Sequence, residues 1–564
     1  MKTNGAAALI RALQDLGVKQ VFGLPGVQNA AIYDALIDSD ISHVLARHEQ
    51  AAVHMADGYA RATGTVGVVL ATSGPGATNT VTGIATAYMD SVPVVVITGQ
   101  VSTAFIGTDA FQEADITTIT LPITKHSYLL KDVEELVPSV FEAFYLAASG
   151  RPGPVLIDIP SNVASSVVHY QAPASALTSS IPSYRPTIKG NARQVKAAAE
   201  LVAQAERPVF LAGGGVVSSD ASSVLVSLAE HCAIPVVTTL LAKGVIAAAH
   251  PLFLGQPGVY GASKANNALQ QADLIIAVGT RFSERVTGNA AGFAPAAKII
   301  HIDIDPAEIG KNIRVDVPIV GDAVAVLTAL EERLVGREGN DAQDIKSRRV
   351  VSGELAETLD AFADNITHYV FSTLGALLRE RKDILITADV GQHQLWASHL
   401  LGVDAPRHFL TSGGLGTMGF GMPAALGAQL ANPNRLVLCI SGDGSFQMNI
   451  QEMAVAVVHK LPIKVAIINN RSLGLVRQYQ ELFLEERYAH TALDPVPDYP
   501  RLAEAYGWQG RTLDALKDKA GISDALRWLF ETDGPALLNI EVPAADLLIP
   551  MVRPGGTLTE VVDG

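Results

Sequence analysis

Along residues 1–165 the hydrophobic positions fall into short, nearly unbroken runs, separated by Ala-rich stretches where they recur every three or four residues. QVFGLPG, GVVLATSGPG, VPVVVITGQ and GPVLIDIP are such runs, rich in β-branched residues and punctuated by Gly or Pro. A strand covered on both faces has no polar side, so it reads as a continuous apolar run. The 3.6-residue periodicity between runs predicts the helices that do the covering. Alternation of the two is the pattern of parallel βαβ units. It returns over 190–330, with strands at PVFLAGGG, ADLIIAVG and KIIHIDID, and again over 365–548. YQAPASALTSSIPSYRP (170–186) and the charged, Gly-punctuated VGREGNDAQDIKSRRVVSGE (335–354) read as linkers. The pattern therefore predicts an α/β chain of three domains, 1–168, 187–340 and 365–550, each a mainly parallel sheet flanked by helices. A length of 564 residues fits that number.

Composition narrows the partners. A formal charge of −15 argues against nucleic acid and against an anionic membrane, since both need concentrated Lys and Arg. Cys232 and Cys439 are the only cysteines and sit in apolar contexts, which argues against a disulfide framework or a Cys-based zinc site. TNGAAALIRALQDLGV opens the chain as an amphipathic stretch without a charged leader, and runs such as SVPVVVITG are too short to span a bilayer. The expectation is a soluble, cytoplasmic protein.

The chemistry concentrates in GDGSFQMNIQEMAVAVVHKLPIKVAIINN, 442–470. RLVLCI (435–440) and KVAIIN (464–469) read as consecutive strands, with QMNIQEMAVAVVHK as the helix between them. A right-handed crossover delivers both strands to the same edge of the sheet. As neighbours about 4.8 Å apart they would bring Asp443 and Asn470 to one point. Carboxylate and amide oxygens suit Mg2+ or Ca2+. Gly442 and Gly444 allow a tight turn and leave amides free at a helix N-terminus, a ready anion site. Together they imply a metal clamped between protein oxygens and a diphosphate. The plainer rival is a strand–turn–helix junction with a capping Asp.

In RHEQAAVHMADGYAR (47–61), helical spacing puts Glu49 on a face with Ala52, Val53, Ala56 and Ala60. A carboxylate there is costly unless paired, and desolvation would raise its pKa. Such a Glu could hydrogen-bond a heterocyclic nitrogen and pass a proton. An acid favoured by the helix dipole is the equal alternative.

GDG followed by NN resembles the thiamine-diphosphate-binding motif. IGTDAFQEAD, ITKHSYLL, SGRPGPVLIDIP, AKIIHIDIDPAEIGKN, DVGQHQLWA, TSGGLGTMGFGMPAALGA and SFQMNIQEM extend the likeness over nearly the whole chain, and resemble the acetolactate (acetohydroxyacid) synthase large-subunit family. The resemblance implies thiamine-diphosphate-binding folds at both ends and a central Rossmann-like domain. It implies Mg2+ on Asp443, Asn470 and the Ser472 carbonyl. Gly416, Met418, Gly442, Gly444, Ser445, Gln392 and His393 would bind the cofactor. Met418 would be the wedge that bends it, against the alternative of a core-filling Met. Glu49 would activate the aminopyrimidine, with Phe111 and Gln112 at the reacting carbons. Arg285 would recognise the second substrate's carboxylate bidentately, against the alternative of a solvated Arg. FAD would lie near Arg151, Gly213, Gly214, Asp303 and Asp322, though a Gly-rich turn with no ligand remains its rival.

The implied activity joins pyruvate to a second 2-oxo acid, giving 2-acetolactate in branched-chain amino-acid synthesis. A flavin-linked pyruvate oxidase or decarboxylase, or another carboligase with a changed acceptor, is the alternative. The implied assembly is a homodimer or homotetramer with sites between chains, with a small regulatory subunit as a further partner. The wording departs from the family at Ser161, at Val259-Tyr260, at Ser283-Glu284 and at Tyr479, where a tryptophan is usual. These changes fall where flavin and the second substrate are expected.

Overall fold

A computed structural model of the chain describes residues 2–173, 181, 183–335, 365–381 and 383–562. Most of the predicted 335–354 linker, and part of the 170–186 one, lie outside the described residues.

Among the described residues three six-stranded parallel sheets form, beside two short antiparallel pairs, and the continuous apolar runs are buried strands of the large sheets. The first contains Gln20–Gly23 (β1), Ser42–Leu45 (β2), Gly67–Ala71 (β3), Val94–Gln100 (β4), His126–Leu129 (β5) and Val155–Pro160 (β6), in the order β2-β1-β3-β4-β6-β5. The central sheet contains Pro208–Ala212 (β7), Val236–Thr238 (β8), Phe253–Gly255 (β9), Leu274–Val278 (β10), Lys298–Asp303 (β11) and Val317–Val320 (β12). Its order, β9-β8-β7-β10-β11-β12, is the Rossmann one. The last contains Ile384–Ala388 (β13), Phe409–Thr411 (β14), Leu436–Gly442 (β15), Lys464–Asn469 (β16), Gln509–Asp514 (β17) and Ala536–Glu541 (β18). It runs β14-β13-β15-β16-β18-β17, the same winding as the first sheet. In such sheets ligands bind beyond the carboxyl ends of the strands, where the winding reverses. For the last sheet that place is between β13 and β15.

The Ala-rich face of the Glu49–Thr63 helix (α1) is explained by its neighbour, Gly421–Ala431 (α2). A Cβ on Gly58 would stand 2.3 Å from the Ala424 carbonyl oxygen, and one on Gly427 would stand 1.9 Å from that of Met55. The two backbones touch at Gly58 and Gly427, where no side chain fits, and this contact joins the first unit to the last in one core. An ion network reinforces it. Arg61 bonds Asp57 (Nε, 2.5 Å), Asp90 (Nη2, 2.8 Å) and the Thr411 carbonyl (3.0 Å). Asp90 in turn accepts the Gly413 and Gly414 amides.

The expected helix over QMNIQEMAVAVVHK is broken. Asp443–Phe446 is one helical turn, Gln447–Glu452 is 3-10, and only Met453–Val458 continues as α-helix, with non-helical dihedrals at Asn449. Asn449 donates to the Gly419 carbonyl at 2.7 Å, and that tertiary bond overrides a weak helix former. Beyond β18 the chain crosses to the central unit, where Val552 and Leu558 pack with Phe282 and Phe293. Among the described residues, no helix is long and apolar enough to cross a membrane.

Candidate active site

A cavity of about 230 Å³ opens beyond the ends of β13, β15 and β16. β15 and β16 are hydrogen-bonded neighbours, with Gly442 opposite Ile468, so Asp443 and Asn470 both reach the cavity, as does Ser472. Asp443 is 2% exposed, and burial pushes its carboxyl up to about 6, against the pull of nearby amides. Its Oδ2 has no protein partner. Tyr499 and Gln447 both donate to the Asp443 carbonyl and fix the turn. Asn470 is held by its Nδ2 bond to Gln392 Oε1 (3.2 Å) and accepts the Ser472 amide at 3.1 Å. Among the described residues no group of three or more His, Cys, Asp or Glu could hold a metal. Asp443, Asn470 and Ser472 offer hard oxygens at this cavity, and a buried carboxylate oxygen with nothing to bind fits a small divalent cation.

Gln392, His393, Gly416, Met418, Gly442, Gly444 and Ser445 line the same cavity. His393 is buried with Nε2 unpartnered, and burial lowers its pKa to about 3, so the ring is neutral at physiological pH. The loop carrying Met418 is fixed by Asp389, a residue the motif reading passed over. Its carboxylate accepts the Gly419 and Gly421 amides, its neighbour Val390's amide and the Ser441 hydroxyl. The available signal was an Asp directly after a buried strand, the same placement as Asp443. Removing a fully buried acceptor of four bonds leaves those donors unsatisfied. Asp389→Ala should cost about 3–5 kcal/mol by chemical denaturation.

Glu49, Phe111 and Gln112 do not line this cavity. Glu49 is 7% exposed in the first turn of α1. The pairing it needed comes from Asn79, which donates to Oε2 at 3.0 Å and which sequence reading missed, three residues beyond the GVVLATSGPG run. Gly76 leaves space beside Glu49 Oε1, and Gly74 packs against the Gln112 backbone, so the structure gathers these residues at one end of the first sheet. Phe111 is 85% exposed beside them. Arg285 is also apart from the cavity. It is largely solvated, 3.4 Å from Glu284 and stacked over the Tyr260 ring at 5.9 Å.

The residues predicted for flavin already have protein partners. Arg151 bonds Asp305 (3.2 Å), Glu308 (2.7 Å) and Ser91 (2.9 Å). Asp303 accepts the Asp305 amide, and Asp322 accepts the Val324 and Ala325 amides at the start of the helix over Ala323–Val335. Gly213 sits where the central winding reverses, and a Cβ there would meet the Gly279 carbonyl oxygen at 2.1 Å. Strand-end packing alone requires that glycine. Gly214 faces the Leu241 side chain with more room.

Three profiles of one enzyme family match along the chain. They are the N-terminal TPP-binding domain of thiamine pyrophosphate enzymes over residues 3–119, the central domain over 195–330 and the C-terminal TPP-binding domain over 389–540. Similarity to individual proteins is nearly full-length. A probable acetolactate synthase large subunit of Methanocaldococcus jannaschii is 47% identical, over 99% of this chain and 95% of that one. An acetolactate synthase of Mycobacterium bovis is 46% identical over 99% and 91%. The isozyme 3 large subunit of Escherichia coli acetolactate synthase is 44% identical over 99% and 98%. The chain belongs to the thiamine pyrophosphate enzymes, within the acetolactate synthase large-subunit family.

Proposed function

We propose that the chain condenses pyruvate with a second 2-oxo acid, releasing CO2 and giving 2-acetolactate when both substrates are pyruvate. The observation that carries this is the unpartnered Asp443 Oδ2 beside Asn470 and Met418, in a chain related over its full length to acetolactate synthase large subunits. Asp443, Asn470 and the Ser472 carbonyl would hold Mg2+ against a diphosphate received by the Gly442–Ser445 turn. Bound there, thiamine diphosphate supplies the carbon nucleophile and the electron sink that decarboxylation needs. The protein's part is to position and to keep dry. Met418 presents an apolar wall, neutral His393 and Gln392 line the cavity's polar side, and the Asp389-held loop keeps both walls in place. Glu49 would hold the proton that must leave and return, with Asn79 fixing one of its oxygens and Gly76 leaving room beside the other. Arg285 would orient the acceptor's carboxylate.

Glu49 and Asp443 serve separate places within one chain, which supports a homodimer or homotetramer with each site built from two copies. Domain limits of 1–168, 187–340 and 365–550 and a cytoplasmic location belong to the same proposal. So do a small regulatory partner, for which the relatives' designation as large subunits is the support, and FAD at the reversal point of the central sheet. No orphaned group among its predicted contacts demands the flavin, and no step above uses it. A visible absorption spectrum of the purified protein decides whether it is present.

The deciding experiment supplies pyruvate, thiamine diphosphate, Mg2+ and FAD under nitrogen and identifies products by NMR. Acetolactate as the main product supports the proposal. Acetaldehyde alone, or turnover only with an added electron acceptor, overturns it. Adding 2-oxobutyrate as competitor tests Tyr479, an exposed ring tilted against Phe483 at 5.1 Å. Tyr479→Trp should raise selectivity for 2-oxobutyrate over pyruvate by up to about tenfold, since one methylene is the whole difference.

A further inference from the structure

Three polar side chains of the QMNIQE segment reach partners outside it, and Glu452 reaches furthest. Gln447 donates to the Asp443 carbonyl and Asn449 to the Gly419 carbonyl. Glu452 lies fully buried, and the Arg47 amide donates to both its oxygens, at 3.0 and 3.2 Å. The His48 amide faces the same carboxylate. The Arg47 guanidinium itself donates elsewhere, to the Leu45 carbonyl. These two amides directly precede Glu49, the first residue of α1, where no intrahelical acceptor exists for them. Burial pushes the Glu452 carboxyl up to about 7, and its ionised form meets the positive end of a fifteen-residue helix. His48 completes the cap, its Nδ1 accepting the Gln50 amide at 3.1 Å. A buried carboxylate is costly unless it is bonded, and here the bonds are made by the backbone that aims Glu49.

We infer that Glu452 is a positioning residue for Glu49: from the turn that begins at Asp443, it grips the Arg47 and His48 amides and so sets where the Glu49 carboxylate stands. The inference rests on Glu49 acting as proposed above. If sites lie between two copies, Glu452 joins the metal turn of one site to the proton-handling helix of the other through the interior of a single chain. A substitution at Glu452 would then act on a step in which Glu452 touches nothing.

The test compares wild type, Glu49→Gln, Glu452→Gln and Glu452→Asp in the full-length protein. One readout is exchange of the thiazolium C2 proton for deuterium on bound thiamine diphosphate with Mg2+, by acid quench and NMR. The other is amide hydrogen exchange across residues 46–53 of the cofactor-free protein, by mass spectrometry. In Glu452→Gln the C2 exchange rate should fall at least about tenfold while cofactor affinity changes by less than about twofold, because one of the two oxygens that accept the Arg47 amide becomes an NH2 donor and nothing at the diphosphate is touched. Protection of residues 46–53 should fall with it. Glu452→Asp keeps both acceptor oxygens but draws them back by one methylene, and should lie between the two. Exchange at the wild-type rate, or unchanged protection of residues 46–53, overturns the inference. If Glu452→Gln does not fold, Glu452→Asp decides on the same two readouts. Failure of the underlying reading has a different signature: Glu49→Gln would itself exchange C2 at the wild-type rate.

Discussion

Asp443→Ala is expected to weaken Mg2+-dependent binding of thiamine diphosphate on the order of 10³-fold, with activity lost in proportion. Removing one member of a buried, charge-paired set costs about 3–5 kcal/mol, and each 1.4 kcal/mol is tenfold in affinity. The structure gives this substitution unusually little else to disturb. Asp443 Oδ2 makes no protein bond that would be broken, and the turn is fixed through the Asp443 carbonyl by Tyr499 and Gln447, which alanine retains. Burial opposes the charged form of this carboxylate while the Gly444, Arg471 and Ser472 amides favour it, so without a cation its removal should cost the fold little. The cofactor-free Asp443→Ala protein should therefore unfold at close to the wild-type temperature. Titration calorimetry with thiamine diphosphate, with and without Mg2+, separates the two effects. Asp443→Asn retains a neutral oxygen and should bind between the extremes. Cofactor binding that is equally tight with and without Mg2+ in wild type would sink the metal assignment.

Glu49→Gln should lower kcat about 10²–10⁴-fold, the usual span for loss of a group that moves a proton. Cofactor affinity should stay near wild type, because Glu49 lies outside the cavity that would hold the diphosphate. Asn79 Nδ2 donates to Glu49 Oε2, and glutamine can still offer its amide oxygen to that donor. Folding should therefore survive, and the loss falls on proton transfer alone. A pre-steady-state comparison of cofactor binding with substrate turnover reads this split. Full turnover by Glu49→Gln would remove the proton role. A matching loss of cofactor affinity would instead make the residue a binding group.

Much of this was legible in the chain. Continuous β-branched runs with helical periodicity between them named a parallel three-sheet architecture, because burial on both faces removes the polar alternation of a one-sided strand. In the first sheet the strands passed over were the more exposed Ser42–Leu45 and His126–Leu129, which carry little apolar signal; Val236–Thr238, Phe253–Gly255 and Val317–Val320 of the central sheet and four strands of the last were not named individually either. Asp443 with Asn470 was legible because two strand ends of one crossover must meet at the same edge. Asp389 and Asn79 were not, since each works through backbone amides or a side chain far away in sequence. The helix expected after Gln447 failed for the same reason: Asn449 and Glu452 answer to Gly419 and Arg47, not to their own turn.

By itself, then, the sequence determined what is local or periodic. It set the strands and helices, the glycine turns, the Asp–Asn pair at neighbouring strand ends and the Ala face of α1. Tertiary structure alone decided what that face was for, with Gly58 and Gly427 bringing α1 and α2 into backbone contact. It also decided which atoms stayed unpartnered at the cavity, and which chain regions hold Glu49 apart from Asp443. The physical reason is that periodicity reports burial, whereas partnership between buried polar groups depends on distances across hundreds of residues, which no local pattern encodes.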